Sequence, residues 1–479
     1  MTSGRVDRAT CRILEGPLAW EIARFGAPLA LAMGLQVTFN LVDAYLIARL
    51  SPEVAGPALG AIGICDQIAA LGTILSYGIS IATAALLSQY QGRGDTQAVR
   101  KVAAQSMWLV LGLSGLFGLA GWLWAEPVIV DVVGAKGAVA TMSIQYLRVI
   151  VGGSFSIFLL LQLTSMQRAL GSSKTPVMIL LGSNALNLVL AVLFCYGPGE
   201  APEIFSWGPP IAKALHIPRM ELVGAAWATI GARVVFLIPL IFLIERRFHL
   251  FRGHLSLPRD TRVLRSITRI AWPASTQFVV RITAMLLTHS LVARAFTTAE
   301  DQHASTALGI VFRLETLALF IAMGWGSAAQ TFLGQNEGAG QHRRALDSGW
   351  YATAYNAVAM AGLAVLFYLA GDAIVRFFDS DSAVVDMAVQ YLRVVSPFYL
   401  ALGVGIVLGN AITGAGATRL TLTIDSLVVL LVQLPLSLWA VHHAQTPERL
   451  WAVLAGVHVA FACVYGFVYR KGHFLRRLA

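Results

Sequence analysis

Residues 176–197 read PVMILLGSNALNLVLAVLFCYG, and none of these 22 side chains is charged. About 20 consecutive apolar residues are enough to cross the hydrocarbon core of a bilayer as an α-helix. A helix bonds its backbone polar groups internally, and lipid offers them no water as an alternative partner. The segment therefore predicts a transmembrane helix.

Segments of this kind recur along the whole chain of 479 residues, of which 57% are hydrophobic and 13% charged. Soluble domains carry about 25% charged residues, so most of this chain is suited to lipid. We predict an all-α membrane protein of about twelve spans. They lie near 25–48, 60–87, 102–125, 140–167, 176–197, 223–245, 271–293, 306–330, 346–370, 389–412, 420–442 and 449–470.

The basic residues, which give a net charge of +10, predict orientation and not nucleic-acid binding. With the N-terminus inside, 23 Lys and Arg residues fall in inner segments and 7 in outer loops. Cytoplasmic loops carry such an excess. We therefore expect a multi-pass protein of the inner (plasma) membrane with both termini in the cytoplasm.

An internal repeat divides the chain into two halves. Residues 146–150, YLRVI, return as YLRVV at 391–395, an offset of 245, and glycines and glutamines match at nearly the same offset elsewhere. We expect six-helix lobes at 1–245 and 271–479, joined by a basic cytoplasmic linker at 246–270. Because each half has six spans, a pseudo-two-fold axis along the membrane normal should relate them. That plan is typical of secondary transporters with alternating access.

Asp43, deep in the first span, is the main candidate for a functional residue. A carboxylate inside a bilayer costs several kcal/mol, and a proton, Na⁺ or a cationic substrate would each neutralise it. Pro28, fifteen residues earlier, is expected to kink the helix. Asn184 and Asn187 are three residues apart, so they share one face of the fifth span. They either complete a polar cluster with Asp43 or hold helices together.

Three other acids in or near spans are secondary candidates: Glu315, Asp425 and Asp66. Asp425 lies near the start of its span, where it could line an inner gate or interact with the interface. The histidines and four cysteines show no metal-binding spacing, so we expect no metal and no cofactor. At offset 245 the residues that match Asp43 and the two asparagines are uncharged, which places the expected coupling mainly in the first half.

Several stretches, in order, resemble the multidrug and toxic compound extrusion (MATE) family over nearly the whole chain. They are NLVD at 40–43 with ARLSPE at 48–53, SQYQG at 88–92, RALGSSKTP at 168–176 with its second copy TGAGATR at 413–419, and FRLE at 312–315 with GQNEGA at 334–339. The resemblance implies export of amphipathic, often cationic, organic compounds in exchange for a cation. It also implies that Asp43 is the coupling residue and that Pro28 has the family's spacing from it.

The resemblance leaves the coupling ion open. The sodium-coupled branch of the family places acids in the seventh and tenth spans, and here 271–293 and 389–412 contain none. We therefore favour H⁺, with Na⁺ as the alternative. The expected partners are small organic substrates and membrane lipids, and the expected state is a monomer.

Two other functions are considered. A lipid-linked oligosaccharide flippase of the same superfamily would need several cationic residues in its cavity, and Arg233 and Arg281 are the only arginines well inside spans. An intramembrane enzyme is suggested by GLSG at 112–115, which would need a histidine such as His289 or His458 as its base. Small-residue patches are common where membrane helices pack, so we expect no enzyme.

Overall fold

The computed structural model describes residues 8–251, 261–298, 300–443 and 446–476. Among these residues, twelve helices are long and apolar enough to cross a membrane, as predicted, and no strand occurs. We number them α1 to α12. They are Leu18–Ala48, Pro52–Arg93, Thr96–Val132, Gly137–Ala169, Lys174–Tyr196, Glu221–Phe248, Thr261–Phe296, His303–Gly338, His342–Arg376, Ser382–Gly414, Thr418–His442 and Glu448–Lys471.

Most helices extend beyond the apolar segments that predicted them. The second was predicted at 60–87 but runs over 42 residues, about 63 Å, whereas the hydrocarbon core is about 30 Å thick. Its ends follow local signals. Pro52 occupies the first helical turn, where a missing N–H costs nothing, and Gly94 ends the helix with φ 73°. Hydropathy therefore locates the spans, and capping residues set the helix lengths.

Two spans are interrupted at matching places in the repeat. α4 is broken at Gly153, between helical pieces Gly137–Gly152 and Ser154–Ala169. α10 is broken by a 3₁₀ turn, Ser396–Phe398, which contains a proline. Two short helices outside the spans, Arg8–Glu15 and Gly208–Ala214, were not predicted because they lack a long apolar run.

The connection between the halves is shorter than the predicted linker 246–270. α6 continues to Phe248, and α7 already begins at Thr261, so both ends of the predicted linker are helical. Residues 252–260 lie outside the described part of the chain. Residues 261–270 are continuous with α7 and do not form a separate segment.

The two halves, which we call the N-lobe (α1–α6) and the C-lobe (α7–α12), meet through matching helices. α1 packs against α8, and α2 packs against α7. Because α1 and α7 are the first spans of their halves and α2 and α8 the second, a two-fold axis exchanges these contacts. α2 and α8 also cross each other at the axis. This is the predicted pair of six-helix bundles.

The crossing of α2 and α8 is closest at two glycines that the repeat relates. A Cβ atom on Gly92 would lie 2.0 Å from the carbonyl oxygen of Gln335, and one on Gly338 would lie 2.1 Å from that of Gln89. Only glycine permits such an approach between backbones. These matches in the sequence repeat therefore mark a contact between the lobes.

The same two glutamines form hydrogen bonds that hold the lobes together, which we call the lock. Gln89 Nε2 donates to the carbonyl oxygen of Gly414 at 2.8 Å, and Gln335 Nε2 donates to that of Ala169, also at 2.8 Å. Each bond crosses from one lobe to the other. Both lie on the side of the molecule where α1 begins and α12 ends, which we call the termini side. The structure is closed there.

Candidate ion and substrate sites

The predicted cluster in the N-lobe forms between α1 and α5. Asn187 Nδ2 donates to both carboxylate oxygens of Asp43, at 3.1 and 2.9 Å. One turn earlier, Asn184 Nδ2 donates to Oε1 of Gln36 at 2.7 Å. Spacing by three residues places both amides on the face of α5 that meets α1, as the sequence indicated. Pro28 lies inside α1, which stays helical through it, more than four turns from Asp43.

Asn187 also presents an oxygen beside the carboxylate. Its Oδ1 is buried and has no hydrogen-bond partner among the described side chains. Buried polar atoms are normally hydrogen-bonded. The carboxylate and the amide oxygen offer a small cation two kinds of oxygen ligand. Alternatively, the carboxylate can accept a proton, with the amide as its hydrogen-bond partner.

Arg233 on α6 joins this cluster, a role that the sequence analysis did not assign to it. Its charge acts on both Asp43 and Asp66, and the buried Tyr146 of α4 lies among them. Asp66 on α2 has an exposed side chain, so it faces open space beside the helix. Two acids and one arginine leave the cluster, which we call the N-lobe site, with a net negative charge.

Glu315 lies in a second cluster, inside the C-lobe. The Tyr391 hydroxyl donates to Glu315 Oε2 at 2.7 Å, and His458 Nε2 lies 3.7 Å from Oε1. Three helices, α8, α10 and α12, supply these residues. We call Glu315, Tyr391 and His458 the C-lobe triad. Nothing in the sequence connected Tyr391 or His458 with Glu315, because both lie far from it along the chain, and His458 was considered only as the base of an enzyme.

Asp425 lies in an ion pair, and neither a gate at the interface nor a helix cap accounts for it. Its side chain is fully buried, and Oδ2 accepts from Arg281 Nε at 2.6 Å and Gln277 Nε2 at 2.8 Å. Tyr465 donates to the other oxygen. Donors on α7 and α12 thus satisfy both oxygens. The ion pair accounts for the charge of Asp425 without a ligand.

The arrangement gives no support to the flippase alternative. Arg281 is held by Asp425, and Arg233 acts on the acids of the N-lobe site. Arg148, nearer the end of its span, pairs with Glu126. A pyrophosphate site requires arginines that are directed at the ligand, whereas Arg281 and Arg148 are paired with carboxylates.

The structure also separates the residues of the enzyme alternative. Ser114 Oγ donates to the carbonyl oxygen of Leu111 on its own helix. His458 is in the other lobe with Glu315, and His289 contacts the carbonyl oxygen of Met285. In the part of the chain that the structure describes, no three His, Cys, Asp or Glu side chains are grouped as a metal site.

The family model MatE matches residues 28–193 and again 278–439. This chain belongs to the MATE family. The two matched segments correspond to the two lobes and cover most of the spans. MATE proteins are membrane transporters of small molecules and not enzymes. This agrees with the prediction of a transporter and with the prediction that the chain is not an enzyme.

Individual MATE relatives match over nearly the full length. The chain is 26% identical to the probable multidrug resistance protein YpnP of Bacillus subtilis, over 95% of this chain and 96% of that one. It is 23% identical to an FAD transporter of Shewanella oneidensis, over 89% and 88% of the two chains. A crystal structure of a mutant MATE transporter superposes with a TM-score of 0.85 at 19% identity, covering 99% of this chain and 100% of the other. That likeness establishes the fold.

Proposed function

We propose that this protein is a secondary antiporter that exports amphipathic, often cationic, organic compounds in exchange for H⁺, with Na⁺ as the alternative ion. The observation that carries the proposal is the carboxylate of Asp43, inside a membrane span and held by the amide of Asn187. No basic side chain is hydrogen-bonded to this carboxylate among the described residues. Its charge is therefore available to a mobile cation.

Exchange follows from competition for that charge. A proton or Na⁺ that enters from one side neutralises Asp43, and a cationic substrate from the other side displaces it. Asn187 favours the charged carboxylate, because a hydrogen bond to a charged group contributes about 1.5–3 kcal/mol. Arg233 keeps the net charge of the N-lobe site low enough that one cation suffices. Loading one ligand then expels the other, which is the requirement for antiport.

The proposed orientation has both termini in the cytoplasm of a plasma membrane, because Lys and Arg are concentrated in the connections on that side. The contacts of Gln89 and Gln335 then close the cytoplasmic side. We further propose that the transporter acts as a monomer in direct contact with lipids. Rocking of the lobes about the α2–α8 crossing would expose the N-lobe site to each side in turn.

The test uses purified protein in liposomes, with ethidium as a fluorescent amphipathic cation. An imposed pH gradient should drive ethidium flux in the wild type, and a Na⁺ gradient alone should drive less. Asp43→Asn keeps the shape and removes the charge, so gradient-driven flux should fall at least tenfold. Asp131→Asn, the same change at an exposed acid, should retain wild-type flux.

Two results would count against the proposal. Coupled flux that survives undiminished in Asp43→Asn would remove Asp43 from the mechanism. Gradient-driven exchange of FAD, which the name of the Shewanella relative gives as its substrate, without any exchange of ethidium would overturn the cationic substrate class.

A further inference from the structure

The C-lobe triad is buried at the centre of its lobe. His458 is 9% exposed and Tyr391 1%, and Glu315 keeps 13% of its side chain exposed. Trp451 packs edge-on against the ring of Tyr391, with ring centroids 5.0 Å apart. Ionisable groups inside a membrane protein are costly, and those that persist mark ion pathways and proton relays.

The hydrogen bonds of the triad are incomplete. Tyr391 accounts for Oε2 of Glu315, whereas Oε1 faces His458 Nε2 at 3.7 Å, beyond a hydrogen bond. His458 Nδ1 and the hydroxyl of the fully buried Tyr399 have no hydrogen-bond partner among the described residues. Tyr399 lies beside the triad, with its ring centroid 6.5 Å from that of His458. One unpartnered atom therefore belongs to the imidazole that faces Glu315, and the other to a tyrosine beside that imidazole.

The triad has a counterpart in the N-lobe that the repeat relates to it. Tyr391 and Tyr146 match at offset 245. The segment GARVVF at 231–236 matches GVHVAF at 456–461, so His458 corresponds to Arg233. Glu315 and Asp66 both lie on the second span of their lobe. Each lobe thus has an acid on its second span, a tyrosine on its fourth and a basic residue on its sixth, although only the tyrosine and the basic residue are repeat matches, since Asp66 falls at the position of Phe312 at offset 246.

The C-lobe has histidine where the N-lobe has arginine, and this difference changes the chemistry of the cluster. Arginine is always charged in proteins, whereas histidine gains and loses a proton near neutral pH. Glu315 and His458 together can therefore hold one additional proton, which would bind at Oε1 or Nε2 and draw the two atoms together. An imidazole nitrogen is also a poor ligand for Na⁺, which favours oxygen, so the triad suits a proton.

The other charged groups around Glu315 do not pair with Glu315 or His458. On the helices packed against it, the neighbouring groups are Tyr391 and Tyr399 of α10 and His458 of α12. Arg313 on α8 and Arg393 on α10 are exposed. From α7, the half-buried His289 contacts Phe312, one turn from Glu315, and Arg281 is paired with Asp425. On α9, the nearby buried polar residue is Asn356, which does not titrate.

We propose that the C-lobe triad is a second proton site, so that each lobe binds one cation per transport cycle. A proton from water on one side joins the pair, and the same proton leaves to the other side when the lobes rock. The acid of this site lies on α8. Among the described residues, no α7 side chain is hydrogen-bonded to it. This inference rests on ion-coupled transport as proposed above, and its test is chosen to be separable from that function.

The first experiment measures protonation directly and requires no transport. Infrared difference spectra of the full-length Asp43→Asn protein in lipid, recorded between acid and alkaline pH, should contain a protonated-carboxyl band from Glu315, because the proposed proton site at Asp43 is absent from this variant. Glu315→Gln should remove that band, and Glu53→Gln, at an exposed acid, should not. Tyr391→Phe should keep the band but move it to higher frequency, because the carboxyl loses a hydrogen bond. His458→Gln should change the pH at which the band appears.

A purely structural triad predicts a different outcome. A band that persists in Glu315→Gln, or that ignores both Tyr391→Phe and His458→Gln, would overturn the proposal. These variants are nearly isosteric, and a melting curve in detergent checks that each one folds.

The second experiment measures stoichiometry as the ethidium gradient that balances a fixed pH gradient. Glu315→Gln should halve the number of protons exchanged per ethidium while transport continues. An unchanged balance point would contradict a coupled second site. If wild-type protein shows no coupling at all, the proposed function fails, and the infrared result still decides whether the C-lobe triad binds a proton.

Discussion

Three acids inside the spans differ in the partners that surround them. Asp425 accepts from a charged arginine, an amide and a phenol, so it is neutralised by the protein itself. Among the described residues, Asp43 accepts only from the neutral amide of Asn187. Glu315 accepts from a phenol and faces an imidazole. The first is suited to hold helices together, and the other two are suited to exchange a mobile cation.

The ion pair of Asp425 leads to a prediction about stability. Asp425→Asn leaves the charge of Arg281 without its partner, and breaking a buried pair costs about 3–5 kcal/mol. Since one third of the Arg281 side chain is exposed, we expect a loss nearer about 1–3 kcal/mol. The melting temperature in detergent should fall by several degrees. The double variant Asp425→Asn with Arg281→Gln should recover most of the loss.

The control for this prediction is another ion pair with the same chemistry. Asp372 pairs with Arg376 at 2.8 Å, but both side chains are exposed. Exposed pairs contribute little, so Asp372→Asn should leave the melting temperature unchanged. Equal losses for the two aspartates would refute the distinction, and so would a double variant no more stable than the single one.

At the scale of helices, the α2–α8 crossing depends on the absence of side-chain atoms. Gly92 and Gly338 each contact the backbone of the opposite helix, and the side chain of Ser88 lies against Gly334. Close packing of small residues is a common basis of helix association in membranes. The crossing is therefore a specific joint between the lobes and not merely a place where they touch.

Gly92→Ala should loosen this joint. The added methyl group would overlap the carbonyl of Gln335, so the two helices must move apart before the termini side can close. Gly63→Ala, on the same helix, adds its methyl group where no atom lies within 4 Å, and serves as the control. A cysteine at the buried Ser88, with Cys11 and Cys463 replaced by serine, should react faster with maleimide in Gly92→Ala. Equal rates in both backgrounds would show that the crossing tolerates the methyl group.

At the scale of the whole molecule, the two lobes repeat one plan and share one lock. Gln89 and Gln335 each donate to a carbonyl of the other lobe, and the two bonds are exchanged by the pseudo-two-fold axis. The N-terminal helix adds a further link, since Arg344 of the C-lobe donates to the carbonyl oxygen of Ile13. All these links lie on the termini side, where they stabilise the closed arrangement.

Removing the lock should shift the balance between conformations. Replacing both glutamines with leucine leaves two carbonyls unpaired only when the termini side is closed. Two neutral hydrogen bonds contribute about 2 kcal/mol, which corresponds to a shift of about thirtyfold toward the open arrangement. Spin labels at the exposed positions Lys101 and Arg343 should report more of the longer distance. An unchanged distance distribution would mean that other contacts keep the termini side closed.

The sequence alone determined the number of spans, because a stretch such as 176–197 has no stable alternative to a membrane helix. The repeat predicted the two lobes, and the spacing of Asn184 and Asn187 predicted that the two amides share one face of α5, without saying which helix that face meets. Each of these inferences depends on a regular spacing of residues along the chain, and the structure agrees with each of them.

Tertiary structure alone decided which helices share a site. The match between Arg233 and His458 was hidden, because the connection 197–220 is longer than 443–447 and shifts the offset from 245 to 225. The partners of Glu315 and Asp425 were hidden for a different reason. Side chains from five different spans converge only through packing. Hydropathy specifies that a helix crosses the membrane but not which neighbours its polar face meets.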